Sequence, residues 1–115
     1  MAITIYHNPK CSTSRNVLAM IRAAGREPAI VEYVKTPPSR EKLAELLREI
    51  GISARDLLRK KEALYAELKL DDPKWSEHDL VGFMADHPIL IERPIVVSDK
   101  GARLCRPKEK VLEVI

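Results

Sequence analysis

Hydrophobic positions follow two different periods in the first third of the chain. Short apolar runs at 3–6 and 28–34 predict strands, and the segment 12–24 between them has its apolar residues at helical spacing. Hydroxyl residues at the start of that segment are suitable N-caps, and Gly25 is a typical stop signal. A strand, a helix and a strand in this order predict a right-handed crossover that makes the two strands parallel.

The middle of the chain changes to a helical pattern throughout. Ser39 follows two prolines and opens a segment with apolar residues at i, i+3, i+4 and i+7, which Gly51 ends. Ser53 and Ser76 each precede an aspartate by three residues, a capping-box pattern that predicts two further helix starts. The leucines of 64–68 predict one more short helix.

The last part of the chain returns to strands. Apolar runs at 95–97 and 102–105 flank the turn residues of 98–101, which predicts a β-hairpin. We expect Pro107 to open a last helix at its first position, followed by apolar residues at helical spacing.

Together these elements predict an α/β fold: one thioredoxin-like domain over 1–115, with a four-stranded mixed sheet flanked by helices. A helical insertion at about 39–87 would separate the βαβ half from the ββα half. In this layout the loop after the first strand carries Cys11, and the Arg93-Pro94 bond that faces it is predicted to be cis.

Composition narrows the functional class. The 115 residues are 45% hydrophobic and 32% charged, which is ordinary for one soluble globular domain. A net charge of +3 and an aromatic content of 4% argue against nucleic-acid binding. We expect no membrane association, because no apolar run is long enough to span a bilayer and no signal-peptide pattern opens the chain. Two cysteines far apart in sequence favour a reducing cytoplasm over a disulfide scaffold. We further expect a monomer.

Cys11 is the strongest candidate for chemistry. Its polar loop, with Asn8-Pro9 before it and three hydroxyl residues after it, is a poor place for a buried hydrophobe. Unpaired N–H groups at a helix N-terminus stabilise an anion, and His7, Lys10 and Arg15 would add to that field. We therefore interpret Cys11 as a thiol of lowered pKa whose thiolate is the nucleophile. His7 and Cys11 supply only two ligands, so no metal site is expected.

Three arginines recur at predicted element ends: Arg59, Arg93 and Arg106. A guanidinium donates paired hydrogen bonds to tetrahedral oxyanions. Arg93 and Arg106 flank the predicted hairpin, so we expect them to lie near each other. A nucleophilic sulfur beside such arginines indicates attack on an oxyanion of the phosphate or arsenate type.

Two other cysteine chemistries do not fit the spacing. A phosphatase loop of the form Cys-x5-Arg would need arginine at Val17, and a Cys-x-x-Cys dithiol would need cysteine at Ser14. Cys105 falls in a strand-like run, where we interpret it as a buried structural residue rather than a resolving thiol. Cys11 would then require an external thiol to complete a catalytic cycle.

The motifs at these positions resemble the glutaredoxin-coupled arsenate reductase family, in order through nearly the whole chain. They are Tyr6-His7-Asn8-Pro9-x-Cys11, Ser14-Arg15-Asn16, Pro37-Pro38-Ser39-Arg40, Gly51-Ile52-Ser53, Leu57-Leu58-Arg59-Lys60, His87-Pro88-Ile89-Leu90-Ile91-x-Arg93-Pro94-Ile95-Val96-Val97 and Arg103-Leu104-Cys105-Arg106-Pro107. Some members of that family continue well beyond the position that matches Ile115.

The resemblance implies an arsenate reductase. The residue matching Cys11 attacks arsenate, and glutathione reduces the adduct and leaves a cysteine–glutathione disulfide that glutaredoxin resolves. Glutathione is thus a co-substrate, and no bound cofactor is implied. The implied site residues are Cys11, His7 and Ser14 for the thiolate, and Arg59, Arg93 and Arg106 for the anion.

Two alternatives stay open at this point. One is a glutathione-dependent thiol reductase, which would keep Cys11 but would not use three arginines. The other is a redox-sensing regulator of the Spx type that contacts RNA polymerase. Regulators of that type that sense by disulfide use Cys-x-x-Cys, and Ser14 removes that switch here.

Overall fold

The computed structural model describes residues 2–115, and the chain divides into two compact units. The first combines the N-terminal segment up to Thr36 with Arg93–Ile115, and the second is Pro37–Glu92. The predicted insertion at 39–87 falls inside the second unit. The assignment of the whole chain to one domain stays a prediction.

A four-stranded mixed sheet forms the first unit, as the sequence predicted. Its strands are β1 (Thr4–His7), β2 (Ala29–Glu32), β3 (Ile95–Ser98) and β4 (Gly101–Leu104), in the spatial order β2-β1-β3-β4. β1 is parallel to β2, whereas β1–β3 and β3–β4 are antiparallel. This is the thioredoxin-like topology, and it places the end of β1 in the middle of the sheet.

One long helix and one short 3₁₀ helix complete the first unit. Helix α1 (Ser12–Ala23) links β1 to β2, and a 3₁₀ helix covers Lys108–Glu113. Their apolar faces share a core with the sheet, formed by Ile3, Ile5, Val17, Ile21, Val96, Cys105, Val111 and Val114. Val17 and Ile21, which are spaced four residues apart, therefore mark the buried face of α1.

Two sequence predictions at helix starts are wrong in detail. The N-cap of α1 is Cys11, with extended backbone at φ −97° and ψ 123°, not one of the hydroxyl residues that follow. Pro107 is likewise the N-cap of the last helix and not its first residue. Helix α1 therefore begins directly after Cys11, before the expected hydroxyl caps. The last helix begins one residue later than expected.

The second unit consists of helices α2 (Arg40–Ile50), α3 (Ala54–Leu57), α4 (Ala63–Glu67) and α5 (Glu77–Asp86), followed by a 3₁₀ helix at Pro88–Leu90. The caps predicted at Ser39, Ser53 and Ser76 are confirmed, since each side chain accepts a hydrogen bond from an N–H three residues ahead. Gly51 has a left-handed backbone with φ 83°, which an L-residue adopts only at a cost.

The Arg93-Pro94 peptide bond is cis, as predicted, and Arg106-Pro107 is cis as well. Among residues 2–115, no helix has the length and apolar character needed to cross a bilayer.

Candidate functional site

The loop between β1 and α1 is held by its own hydrogen bonds. The backbone N–H of Cys11 donates to the carbonyl of Asn8 at 3.0 Å, and the N–H of Lys10 donates to the Asn8 side-chain oxygen at 3.0 Å. The N–H of Arg15 donates to the Cys11 carbonyl, also at 3.0 Å, which begins the helical ladder. The turn at Asn8 thus places Cys11 at the N-terminus of α1.

The Cys11 side chain is only 8% exposed, but polar donors surround its sulfur. Burial raises the pKa of the thiol, because the charged form is poorly solvated there. Hydrogen bonding from the Ser14 N–H, the charge and side-chain hydrogen bond of Arg93, and the Thr13 N–H lower it by more. The net effect is a Cys11 pKa below the ordinary thiol value, so the site stabilises a thiolate.

Ser14 joins the sulfur to His7. Its fully buried hydroxyl oxygen lies 2.6 Å from His7 Nδ1 and accepts a hydrogen bond from the Asn8 N–H at 3.1 Å. Since a hydroxyl oxygen both donates and accepts, the tautomer of His7 sets the direction of its bond with Nδ1. Ser14 uses its backbone for the sulfur and its side chain for the histidine.

His7 is a neutral residue in this arrangement. Burial lowers its pKa most strongly. The nearby Glu32 carboxylate opposes this shift, and the positive charges of Arg15 and Arg22 reinforce it. A neutral imidazole contributes through hydrogen bonding and packing rather than through its charge. From the sequence, His7 was expected to add positive charge near Cys11. In the structure its lowered pKa makes it a neutral hydrogen-bonding group at neutral pH.

Arg93 and Arg106 lie near each other, as their positions beside the hairpin predicted. Arg93 is 9% exposed and interacts with Cys11, whereas Arg106 is exposed and donates from Nη1 to the Arg93 carbonyl at 3.1 Å. Next to the paired ends of β3 and β4, the Cys105 N–H donates to the Pro94 carbonyl at 2.9 Å. One buried and one exposed guanidinium thus belong to the same corner of the sheet.

Arg59 belongs to the second unit. Its N–H donates to the Leu90 carbonyl at 2.7 Å, and its guanidinium lies 3.5 Å from the Glu62 carboxylate. These contacts fix Arg59 within its own unit. Its predicted place beside Cys11 stays a prediction.

Cys105 has the opposite environment to Cys11. It is fully buried in the core of the first unit, and burial together with the Glu113 carboxylate raises its pKa to about 12. The predicted burial of Cys105 is confirmed, and a thiol of raised pKa is a poor nucleophile at neutral pH. Within residues 2–115, no three His, Cys, Asp or Glu side chains are grouped closely enough to hold a metal ion.

Two contributors to the site were missed by the sequence reasoning. Asn8 shapes the loop through both its side chain and its backbone, and the N–H of Thr13 faces the sulfur. The Asn8-Pro9 pair is a known turn signal and could have identified the first. The second depends on where α1 begins, which local patterns fix only to within a residue or two.

The sequence and the structure were compared with those of known proteins, and both comparisons found close similarity. Residues 6–114 match the sequence model of the ArsC family. The arsenate reductase of Escherichia coli strain K12 is 56% identical over 113 residues, which cover 98% of this chain and 80% of that protein. The arsenate reductase of Acidiphilium multivorum is 54% identical with the same coverage. A solved structure of the arsenate reductase from Vibrio cholerae is 47% identical, with a TM-score of 0.96 over 100% of this chain and 98% of that one.

Proposed function

Because the chain belongs to the ArsC family, we propose that it is an arsenate reductase that uses glutathione as reductant and glutaredoxin as partner. The observation that carries the proposal is the thiol of Cys11 at the N-terminus of α1, with its pKa lowered by backbone N–H groups and by Arg93. A stabilised thiolate beside a guanidinium is suited to attack on an anion that the guanidinium has neutralised.

The first step forms a sulfur–arsenic bond. The Cys11 thiolate attacks the arsenic of arsenate, and one oxygen leaves as water after protonation. Arsenic stays in the +5 state, because the thiolate replaces one oxygen ligand. Arg93 interacts with the Cys11 thiolate, and we propose that Arg93, Arg106 and Arg59 hold the oxygens of arsenate.

The second step transfers two electrons. The glutathione thiol attacks the sulfur of Cys11, a disulfide forms between them, and the sulfur–arsenic pair of electrons stays on arsenic. Arsenite leaves in the +3 state and takes up the thiol proton. Glutaredoxin then attacks the glutathione sulfur, carries the glutathionyl group away and restores the Cys11 thiol.

The second cysteine of the chain supports the need for an external reductant. The sequence contains two cysteines, and Cys105 is buried in the core with a pKa of about 12. It is therefore unsuited to attack Cys11 from within the chain. A supply of glutathione implies a reducing compartment, which we propose is the cytoplasm.

A coupled assay tests the proposal. Purified protein is given arsenate, glutathione, glutaredoxin and glutathione reductase, and oxidation of the nicotinamide cofactor is followed. NADPH is supplied as the electron donor of glutathione reductase, and we expect an arsenate-dependent rate of its oxidation that Cys11→Ser abolishes and the matched Cys105→Ala variant retains. Intact mass after omission of glutaredoxin should show one glutathionyl group on the protein. An unchanged chain that gives no arsenate-dependent rate would refute the proposal.

Arg106 separates this function from a thiol reductase acting on disulfides. Arg93 interacts with the Cys11 sulfur, so its loss would slow every reaction of the thiolate. Arg106 is exposed and is held by the Arg93 carbonyl. Arg106→Ala should therefore raise the KM for arsenate several-fold and leave reduction of a small glutathione mixed disulfide unchanged. Equal effects on both substrates would favour a thiol reductase.

A further inference from the structure

A groove beside the Cys11 loop has no role in the attack on arsenate. It has a volume of about 500 Å³ and is lined by His7, Pro9, Arg15, Leu18, Ala19 and Arg22. This size lies in the range of pockets for small ligands. We call it the α1 groove, since four of its residues come from one face of that helix. All of it belongs to the first unit.

The α1 groove begins at the wall of the thiolate site. His7 lines the groove and also meets the Ser14 hydroxyl, and the Ser14 N–H faces the Cys11 sulfur. Arg15 donates from Nη1 to the Pro9 carbonyl at 2.9 Å, which fixes its guanidinium over the loop. The Arg15 N–H donates to the Cys11 carbonyl at 3.0 Å, so the two residues share the first turn at the start of α1.

The charge of the α1 groove comes from Arg15. Arg22 donates two hydrogen bonds to the Glu27 carboxylate, at 2.9 and 3.0 Å, so its charge is already compensated. Glu32, which acts electrostatically on His7, lies 3.6 Å from the Lys35 ammonium. Arg15 makes no ion pair within residues 2–115. The groove is thus lined by apolar side chains and by one cation, Arg15, that has no carboxylate partner among the described residues.

We propose that the α1 groove binds the γ-glutamyl arm of glutathione, with its carboxylate on Arg15. This rests on the proposed function in that glutathione is the reductant. The two methylene groups of the arm match the apolar surface of Leu18 and Ala19, and the carboxylate matches the guanidinium.

The length of the γ-glutamyl arm can be compared with the distance along α1 from Cys11 to each arginine, and the comparison favours Arg15. Four residues of helix rise about 6 Å from Cys11 to Arg15, whereas the eleven residues to Arg22 rise about 16 Å. The γ-glutamyl carboxylate lies about two residue lengths from the cysteinyl residue, or roughly 7 Å of extended chain. The helix rise therefore favours Arg15 over Arg22 as the partner of this carboxylate.

Three thiols test the assignment. Glutathione and γ-glutamylcysteine carry the arm, and cysteinylglycine lacks it. We expect Arg15→Gln to raise the KM for the first two about tenfold, the lower end for a charged hydrogen bond at an exposed site, with a much smaller effect on the third. Arg15→Lys should restore part of the loss. Arg48→Gln removes an equal charge from exposed α2 and should change none of the three. Equal effects of Arg15→Gln on all three thiols, or none, would overturn the assignment.

Binding without turnover separates this inference from the proposed function. S-methylglutathione cannot react, so its binding to the unchanged chain can be followed by backbone amide NMR. We expect shifts at Leu18 and Ala19 that Arg15→Gln weakens. If arsenate is not reduced but these shifts occur, the proposed function fails and the groove assignment stands. If arsenate is reduced and the shifts are absent, the assignment fails and the function stands.

Discussion

Burial acts in two opposite ways at Cys11. It raises the pKa of the thiol by removing water, and it also brings the sulfur against the N–H groups of Ser14 and Thr13 and against Arg93. The two N–H donors belong to the first turn of α1, and Arg93 lies just before β3. The donors prevail over desolvation, and the result is a lowered pKa for the Cys11 thiol.

The residue-scale prediction concerns Arg93. Arg93→Ala should raise the Cys11 pKa, because a positive charge and a hydrogen bond that favour the thiolate are lost. The rate of iodoacetamide alkylation should then rise with pH at a higher midpoint than in the unchanged chain. Arsenate kcat/KM should fall roughly 100-fold, the usual cost of removing one preorganised donor.

Arg93→Lys is the matched control for that experiment. It keeps the charge and loses the planar fork, so its alkylation midpoint should lie between those of the other two proteins. An alkylation midpoint near the free thiol value of about 8.5 in the unchanged chain would contradict the lowered pKa. Identical midpoints in all three proteins would contradict the role of Arg93.

At the scale of elements, caps decide where the helices begin. The Ser76 hydroxyl accepts from the Asp79 N–H at 3.1 Å, and the Asp79 carboxylate accepts from the Ser76 N–H at 3.0 Å. This reciprocal pair satisfies two orphan donors of α5. In α1 the N-cap residue is Cys11, and its sulfur is the group that the N–H groups of Ser14 and Thr13 face. The N-cap residue thus stabilises α5, whereas in α1 it carries the candidate nucleophile.

The element-scale prediction follows from the capping box. Ser76→Ala should lower the free energy of unfolding by about 1 kcal/mol, since the Asp79 N–H loses its acceptor. Urea unfolding measures this loss. Ser12→Ala, at the exposed first residue of α1, is the control and should change stability by less than about 0.5 kcal/mol. A Ser76→Ala protein as stable as the control would show that the cap is not needed.

At the scale of the whole molecule, Cys105 links the core to pH. Its folded pKa of about 12 lies above the ordinary thiol value of about 8.5, so the folded state keeps a proton that the unfolded state loses. The stability that this thiol contributes is fully present below about pH 8.5. It is lost as pH rises toward about 12, by at most about 1.4 kcal/mol per pH unit.

Alkaline unfolding checks this linkage. Urea midpoints of the unchanged chain and of Cys105→Ala are compared at pH 8, 9 and 10 under reducing conditions. Cys105→Ala should lower stability at pH 8 through lost packing, and the difference between the two proteins should shrink as pH rises. A constant difference would contradict the raised pKa. Lysine and tyrosine titrate in both proteins and cancel in the comparison.

Much of the fold was predictable because its signals are local. The capping serines of α2, α3 and α5, the stop at Gly51 and the turn between β3 and β4 each act over a few residues, and the structure confirms them. The hydroxyl residues after Cys11 were expected to cap α1 because serine and threonine are commoner N-caps, but the structure has Cys11 at that position.

The sequence by itself determined that Cys11 lies at a strand-to-helix junction, that Cys105 is a core residue, and that Arg93 and Arg106 flank one hairpin. Each of these depends on neighbours in the chain. Only the tertiary structure decided the protonation states. The neutral His7, the lowered pKa of Cys11 and the raised pKa of Cys105 arise from burial and from charges brought by other strands and helices. Solvation and Coulomb energies depend on distance in space, which the order of residues does not specify.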